Sequence, residues 1–144
     1  VYHILFVDER NDALSQLAEA FARKAYPDSG VYRSAAWAPT EQLLPATEVF
    51  MDARGLDGDS FSPKKLDFTV EELADFHVIV GLGKGSRAHF EEIPFHTVFL
   101  EWDLDPIPGD LDAERSTALM EEAFRKLKHS IRELMETLRG EEAS

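Results

Sequence analysis

Cysteine is absent from the sequence, and this absence excludes three kinds of chemistry. The chain cannot form disulfides, use a thiolate nucleophile or bind a metal through thiolates. A long apolar stretch is also missing, since no run approaches the roughly 18 residues that span a membrane. No basic segment followed by an apolar run has the pattern of a signal peptide. We therefore expect a cytoplasmic protein that does not enter a membrane.

Basic residues are scarce relative to acidic ones. Lys and Arg number 15 among 144 residues against 28 Asp and Glu, which gives a formal net charge of −13. A chain this acidic repels nucleic acid and anionic lipid at long range. The charge also serves solubility, but among partners it favours a basic protein. We expect a protein partner, no nucleic-acid or membrane partner, and no cofactor.

The first forty residues alternate between strand and helix patterns. Residues 2–7 (YHILFV) are a short apolar run typical of a buried parallel strand, and the polar turn DERND follows it. From Ala13 apolar residues recur every three or four positions, which predicts a helix with Asp12 as its N-cap. Residues 31–36 are typical of a second strand.

The alternation continues to the end of the chain. Pro45 and Gly55 have the positions preferred just inside the start and just past the end of a helix, and residues 69–72 (TVEE) form a capping box. Residues 76–82 and 97–100 predict two further strands. The last helix is predicted from Asp112 to about Leu138, with Gly140 ending it.

This order predicts an α/β fold with three layers, in which a four-stranded parallel sheet has helices on both faces. Residues 1–140 are predicted to form a single domain, with 141–144 as a tail. In such sheets ligands bind outside the carboxyl ends of the strands. The candidate site is therefore residues 8–15, with the loops after Leu82 and Leu100 as walls.

Several segments, in the same order along the chain, resemble the low-molecular-weight protein tyrosine phosphatases and the related arsenate reductases. They are ILFV with SQLAEAFAR, VYRSAAWAP, LLPATEVFMDARGLDGDSFSPKKL, DFHVIVGLG and EWDLDPIPGD. The resemblance covers nearly the whole chain and implies the fold described above. It also implies an anion-binding loop between the first strand and the first helix, with the signature Cys, five residues, Arg, then Ser or Thr.

The departures from the family lie in that loop. Asp8 stands at the nucleophile position and Leu14 at the arginine position, whereas Asn11 and Ser15 match. The rest of the former anion loop is Glu9, Arg10, Asp12 and Ala13. Asp105, followed by Pro106, matches the family's general acid, which has no leaving group to protonate without a nucleophile. Thioredoxin-linked arsenate reductases need further cysteines, so that chemistry is excluded as well.

Electrostatics oppose anion binding in this loop. Like charges about 4 Å apart repel by on the order of 4 kcal/mol at an effective dielectric near 20, and a lost charged hydrogen bond costs roughly 1.5–3 kcal/mol more. We therefore expect negligible phosphate binding and no turnover. Asp8 and Asp12 are expected to cap the helix, and Asp8, crowded by Glu9 and Asp12, is expected to matter less for stability than Asp12.

Two alternatives to an inactive module remain from the sequence. A hydrolase could use carboxylates or a divalent cation held by Asp8, Glu9, Asp12 and Asp105, since hard cations prefer oxygen ligands. A receiver-like signalling domain would use Asp8, Glu9 and Asp52, because ILFVDE and VFMDARGLDG resemble receiver segments. Against the receiver, Pro45 predicts a helix around Asp52, and no strand ending in lysine follows.

The hypothesis that we favour is a catalytically inactive relative of the phosphatases that serves as a binding or regulatory module. Trp37 and Trp102 fall in loops predicted near the former active site, and tryptophan is frequent among interface hot spots. We expect both tryptophans to belong to one interaction surface on that face. The alternative is that both tryptophans have a structural role and pack against the sheet.

Overall fold

The computed structural model describes residues 1–56 and 62–143. The elements, in chain order, are β1 (Tyr2–Asp8), α1 (Leu14–Ala25), β2 (Gly30–Ala36), α2 (Pro45–Ala53), α3 (Val70–Leu73), β3 (Val78–Leu82), β4 (Val98–Trp102) and α4 (Ala113–Ala143). A short 3-10 helix, Ser86–His89, lies between β3 and β4. The turn that the family resemblance places after α2 falls partly in residues 57–61, outside the described residues.

The four strands form one parallel sheet in the order β2-β1-β3-β4. The chain moves from β1 to β2 on one side and then crosses to β3 on the other side of β1. This reversal places a crevice at the carboxyl ends of β1 and β3, where Asp8 follows Val7. The predicted four-stranded parallel α/β fold is confirmed.

Alternate residues of β1 face two separate apolar clusters. Ile4 and Phe6 pack with α1, α2 and α4, whereas Leu5 and Val7 pack with a smaller cluster that includes Leu73 of α3. The three layers are therefore unequal. The long helices cover one face, and the other face is covered by α3, the 3-10 helix and irregular segments.

Local sequence explains most element ends. The predicted capping box is present: the Glu72 N–H donates to Thr69 Oγ1 over 3.1 Å, and the Thr69 N–H donates to Glu72 Oε1 over 3.2 Å. Pro45 begins α2, and Gly55, just past its end, has the positive φ of 63° that glycine adopts without strain.

Two predicted helix ends are wrong. The helix α1 begins at Leu14 with Ala13 in the N-cap position and without a side-chain cap, so Asp12 is not its N-cap. Gly140 does not end α4, which continues to Ala143. A glycine inside a helix costs only about 1 kcal/mol relative to alanine, so it does not by itself stop a helix of 31 residues.

No helix within residues 1–56 and 62–143 combines the length and the apolar character needed to cross a membrane.

Candidate functional site

Asp8, the last residue of β1, holds the loop that follows it. Its Oδ1 accepts hydrogen bonds from the Asn11 N–H at 2.8 Å and from Ser15 Oγ at 2.9 Å. Its Oδ2 accepts a third from the Ser15 N–H at 3.1 Å. Because Ser15 lies in the first turn of α1, Asp8 supplies the carboxylate acceptor expected at the start of that helix, and three donors surround it in addition to the neighbouring acid Asp12.

The ionisation of Asp8 reflects two opposing effects. Burial disfavours the charged carboxylate and raises the pKa of Asp8 to about 6, from 3.8. The three hydrogen bonds lower that pKa, and the charge of Asp12 raises it by a smaller amount. The fold therefore removes part of the water around the Asp8 carboxylate and provides hydrogen-bond donors in its place.

Asn11 fixes the shape of the loop. It is fully buried and has a φ of 55°, in the left-handed region that asparagine tolerates better than most residues. Its Nδ2 donates to Ser15 Oγ at 2.6 Å, and its Oδ1 accepts from Gln16 Nε2 and from the Lys64 N–H, both at 2.9 Å. The match of Asn11 and Ser15 to the family signature therefore corresponds to a structural network.

Arg10 and Asp12 are paired with each other. Arg10 Nε lies 3.4 Å from Asp12 Oδ2, and Arg10 Nη2 donates to the Ile107 carbonyl at 2.7 Å. Burial raises the pKa of Asp12, and the charge of Arg10 lowers it. The Asp12 carbonyl accepts from the Leu44 N–H and from Thr47 Oγ1. Asp12 therefore connects the loop to the start of α2 instead of capping α1.

The loop forms the floor of a cleft of about 650 Å³. The segments after β3 and β4 form its walls, where the sequence places them, and Trp37 after β2 forms a third wall. The Trp37 ring stacks on His89, with centroids 3.9 Å apart and planes inclined by 9°. His89 is exposed and Trp37 half-buried, so the stack presents a flat aromatic surface at the cleft.

Trp102 does not line the cleft itself. It ends β4 and lines an adjoining groove of about 600 Å³ between β4 and α4, which shares Asp103, Leu104 and Lys126 with the cleft. Its ring lies 6.3 Å from that of Phe6, and it packs against the larger core. Trp37 lines the cleft and Trp102 lines the adjoining groove, so one interaction surface that includes both tryptophans stays a prediction.

The charged groups that line the cleft are mostly acidic. They are the carboxylates of Asp8, Glu9, Asp12, Asp103 and Asp105 and the cations of Arg10, Lys84 and Lys126. Arg10 is paired with Asp12, and Lys84 Nζ lies 3.5 Å from Asp103 Oδ2. Glu9 and Asp105 are exposed.

The structure gives a different reason against each of the two alternative sites. In the part of the chain that the structure describes, no group of three or more His, Asp and Glu side chains is placed to hold a metal ion. Asp8, Glu9, Asp12 and Asp105 therefore share a cleft without forming a ligand set. The receiver alternative is wrong, because Asp52 is exposed within α2 and does not follow a strand.

Sequence reasoning expected the loops after β3 and β4 at the cleft but singled out neither His89 nor Ile107 within them, and it did not expect α4 to contribute Lys126. His89, Lys126 and Ile107 come from the 3-10 helix, from α4 and from the segment before α4. The glycine-rich segment 81–85 predicted a loop after β3. Nothing in the sequence of that loop predicts that the His89 ring stacks on Trp37. Lys126 lies far along the chain on α4, and the sequence of that helix does not distinguish it from the other charged residues of the polar face.

The comparisons with known proteins give similarity of structure alone. No protein-family model matches the chain, and no curated protein matches it by sequence. The solved structures include an arginine phosphatase from Geobacillus stearothermophilus, at 18% identity and a TM-score of 0.75, with 99% of this chain and 96% of that one covered. A low-molecular-weight protein tyrosine phosphatase from Streptococcus pyogenes has 16% identity and a TM-score of 0.70, with 96% and 93% covered.

A third similar structure is longer than this chain. It is a thioredoxin-dependent arsenate reductase from Corynebacterium glutamicum, with 22% identity and a TM-score of 0.64. The match covers 92% of this chain but only 62% of that one. At these identities the likeness defines architecture and not chemistry. The chain has the fold that low-molecular-weight protein tyrosine phosphatases and arsenate reductases share.

Proposed function

We propose that this protein is a catalytically inactive counterpart of the low-molecular-weight phosphatases and acts as a binding or regulatory module. Its cleft receives a positively charged segment of a protein partner. One observation carries the proposal: the Asp8 carboxylate accepts the hydrogen bonds of Asn11 and Ser15 at the floor of the cleft. The internal carboxylate therefore stands at the position of the family's thiolate nucleophile and takes up hydrogen-bond donors of the loop.

Three features support inactivity. No cysteine exists to supply a thiolate, and the carboxylate at that position is already engaged by three donors. Leu14, buried and apolar, offers no guanidinium to clamp an anion. Arg10 does not replace it, because its guanidinium is held by Asp12 and by the Ile107 carbonyl.

The charge and shape of the cleft support a cationic partner. Five carboxylates and three cations line it, and Arg10 and Lys84 are each paired with an aspartate. The exposed Glu9 and Asp105 remain to meet a lysine or arginine. The stacked Trp37 and His89 rings supply a flat face on which a guanidinium packs favourably.

The hydrolase alternative has less support than the binding module. A divalent cation needs several oxygen ligands at once, and the described residues hold no such group. Asp8 and Asp12 are both engaged by other residues of the loop.

The test is a titration with a synthetic arginine-rich peptide, followed in every variant by amide chemical shifts and in the native chain also by tryptophan fluorescence. We expect shifts around residues 8–15 and an affinity that falls as salt increases, because charge drives encounter. Trp37→Ala should weaken binding about 3- to 10-fold, since a stacked cation contributes roughly 0.5–1 kcal/mol or more.

A matched pair of variants separates the cleft from bulk charge. The Glu9→Gln, Asp105→Asn double variant should weaken binding, whereas the Asp67→Asn, Asp75→Asn variant removes the same charge at exposed positions outside the cleft. Equal effects of the two pairs would mean that net charge alone attracts the peptide. Phosphatase activity that stays with the protein through several purification columns, whether or not Asp8→Ala abolishes it, would contradict the proposal that the site is inactive.

A further inference from the structure

β4 is an edge strand whose backbone is open on one side. The Val98 N–H donates to the His77 carbonyl at 3.0 Å, and the Trp102 carbonyl accepts from the Gly83 N–H at 2.8 Å, so both residues turn their polar groups toward β3. Backbone direction alternates along a strand. Phe99 and Glu101 therefore point their N–H and C=O groups to the open edge, where no further strand of residues 1–56 and 62–143 pairs with them.

This edge has less protection against pairing than the other edge of the sheet. Edge strands are commonly blunted by charged residues, especially lysine, by proline or by a covering segment, and β4 (VFLEW) has a single charged residue, Glu101, and neither lysine nor proline. The other edge strand, β2, has both a basic side chain and a covering segment. It carries the exposed Arg33, and at its carboxyl end Ala36 exchanges hydrogen bonds of 2.8 and 2.7 Å with Lys64 and Leu66.

One row of β4 side chains is apolar and incompletely covered. Leu100 and Trp102 pack against the larger core on the side of α4, and Val98 shares their face by alternation. Val98 is nevertheless 54% exposed. At the other end of the row, Trp102 lines the groove of about 600 Å³ between β4 and α4.

We propose that β4 pairs antiparallel with the β4 of a second copy of this chain, about a two-fold axis at Leu100. Phe99 then lies opposite Glu101 of the second copy, and the outward groups of these residues form four hydrogen bonds across the axis. Val98 lies opposite Trp102 of the second copy and covers the open end of its groove. The axis closes the pair and leaves only the protected β2 edges outside.

The position of the charge in β4 favours a second copy of the same strand as its partner. Glu101, the single charged residue of β4, faces Phe99 of the second copy and not another Glu101, so like charges are not directly opposite. The exposed valine and the groove at Trp102 occupy mirrored positions in this register. A foreign peptide would satisfy the backbone but has no defined side chain for that groove.

Salt distinguishes this pairing from the binding of a basic peptide in the acidic cleft. Each copy carries a net charge of −13, so long-range repulsion opposes dimer formation and salt weakens that repulsion. Dimerisation should therefore strengthen with salt, whereas binding of a basic peptide in the cleft should weaken. The pairing does not depend on the proposed function of the cleft.

The experiment is sedimentation of the native chain from micromolar to millimolar concentration at low and high salt. We expect a monomer–dimer equilibrium that shifts to dimer with concentration and with salt. Amide exchange should slow at Phe99 and Glu101 in the dimer alone. Val98→Lys, which places a charge against the apolar row, should weaken dimerisation at least about tenfold.

Two further variants complete the test. Val31→Lys changes charge equally on the β2 edge, at a residue that is 45% exposed, and should leave dimerisation unchanged. Glu101→Pro removes an outward N–H without removing a bond to β3 and should abolish the dimer. A chain that stays monomeric throughout overturns the proposal, as does a dimer that Val98→Lys and Val31→Lys affect alike. If Glu101→Pro does not fold, the lysine pair and the amide exchange decide the matter.

Discussion

Asp8 is the single residue on which the conformation of the site depends most. Three donors from Asn11 and Ser15 meet its two oxygens, and two of these donors are backbone N–H groups that the loop cannot redirect. A buried donor that loses its acceptor costs about 1–3 kcal/mol. Ser15 Oγ also accepts from Asn11, so the loss of Asp8 would loosen the network that holds the left-handed Asn11.

Asp8→Ala should therefore destabilise the protein more than Asp12→Ala. We expect a loss of roughly 1–3 kcal/mol for Asp8→Ala, because its removal leaves buried donors unsatisfied. Asp12→Ala should cost at most about 1 kcal/mol, since its partner Arg10 is partly exposed and also bonded to Ile107. Urea denaturation of the two variants at neutral pH measures the order. The reverse order would restore the N-cap role of Asp12 that the sequence suggested.

The pH dependence of stability should carry a contribution from Asp8. Its pKa is raised to about 6 in the folded protein from 3.8, so between these values the folded state binds more protons than the unfolded state. The stability contributed by the proton on Asp8 is then complete below about pH 4 and is lost as the pH rises through 6, whereas the hydrogen bonds to Asn11 and Ser15 remain above that pH. A shift of this size corresponds to at most about 3 kcal/mol.

The matched variant for this pH effect is Asp8→Asn, which keeps the shape and does not titrate. The stability of Asp8→Asn relative to the native chain should rise between about pH 4 and pH 6 and stay level above it. Thermal unfolding of both proteins across this range gives the difference and cancels the other carboxylates. A difference that is constant with pH, or that falls, would show that burial does not raise the pKa of Asp8.

The secondary-structure elements were largely predictable because each has a local cause. Short apolar runs predict the four buried strands, and the Thr69 capping box and the Pro45 start are confirmed where their side chains or rings act on the nearest turn. The N-terminus of α1 was not predictable in this way. The carboxylate that serves its first turn comes from Asp8, outside the helix and seven residues before Ser15, whereas Asp12 is drawn away toward Arg10 and α2.

The candidate site was predictable as far as topology determines it. Parallel strands and a crossover at β1 place the loop after Asp8 against the loops after β3 and β4. Contacts between side chains distant in sequence were not predictable. The stacking of Trp37 on His89 and the position of Trp102 in the groove beside the cleft depend on how the irregular segments pack against the sheet.

Restoring the anion loop should need more than a nucleophile. Asp8→Cys alone removes the internal carboxylate but leaves the Leu14 side chain and the acids Glu9 and Asp12, so we expect no phosphate or vanadate binding and no hydrolysis of an aryl phosphate. Adding Leu14→Arg, Glu9→Gly and Asp12→Ser supplies the fork and removes like charges, and weak anion binding is expected. Anion titration followed by amide shifts compares the two. Activity from the single change would refute the role assigned to the arginine position and to loop charge.

The net charge of −13 acts on the whole molecule. Its carboxylates repel one another more strongly in the compact state than in the expanded one, so charge of one sign destabilises folding. Salt shortens the range of this repulsion from about 30 Å at 0.01 M to about 8 Å at 0.15 M. The midpoint of thermal unfolding at neutral pH should therefore rise with sodium chloride over this range.

The control is the same salt series near pH 4.7, the isoelectric point of the sequence, where the repulsion vanishes and the rise should disappear. Both series are measured at a fixed low protein concentration, because dimerisation through β4 would add stability of its own. An equal rise at both pH values would mean that salt stabilises the chain by strengthening apolar burial and not by screening its charge.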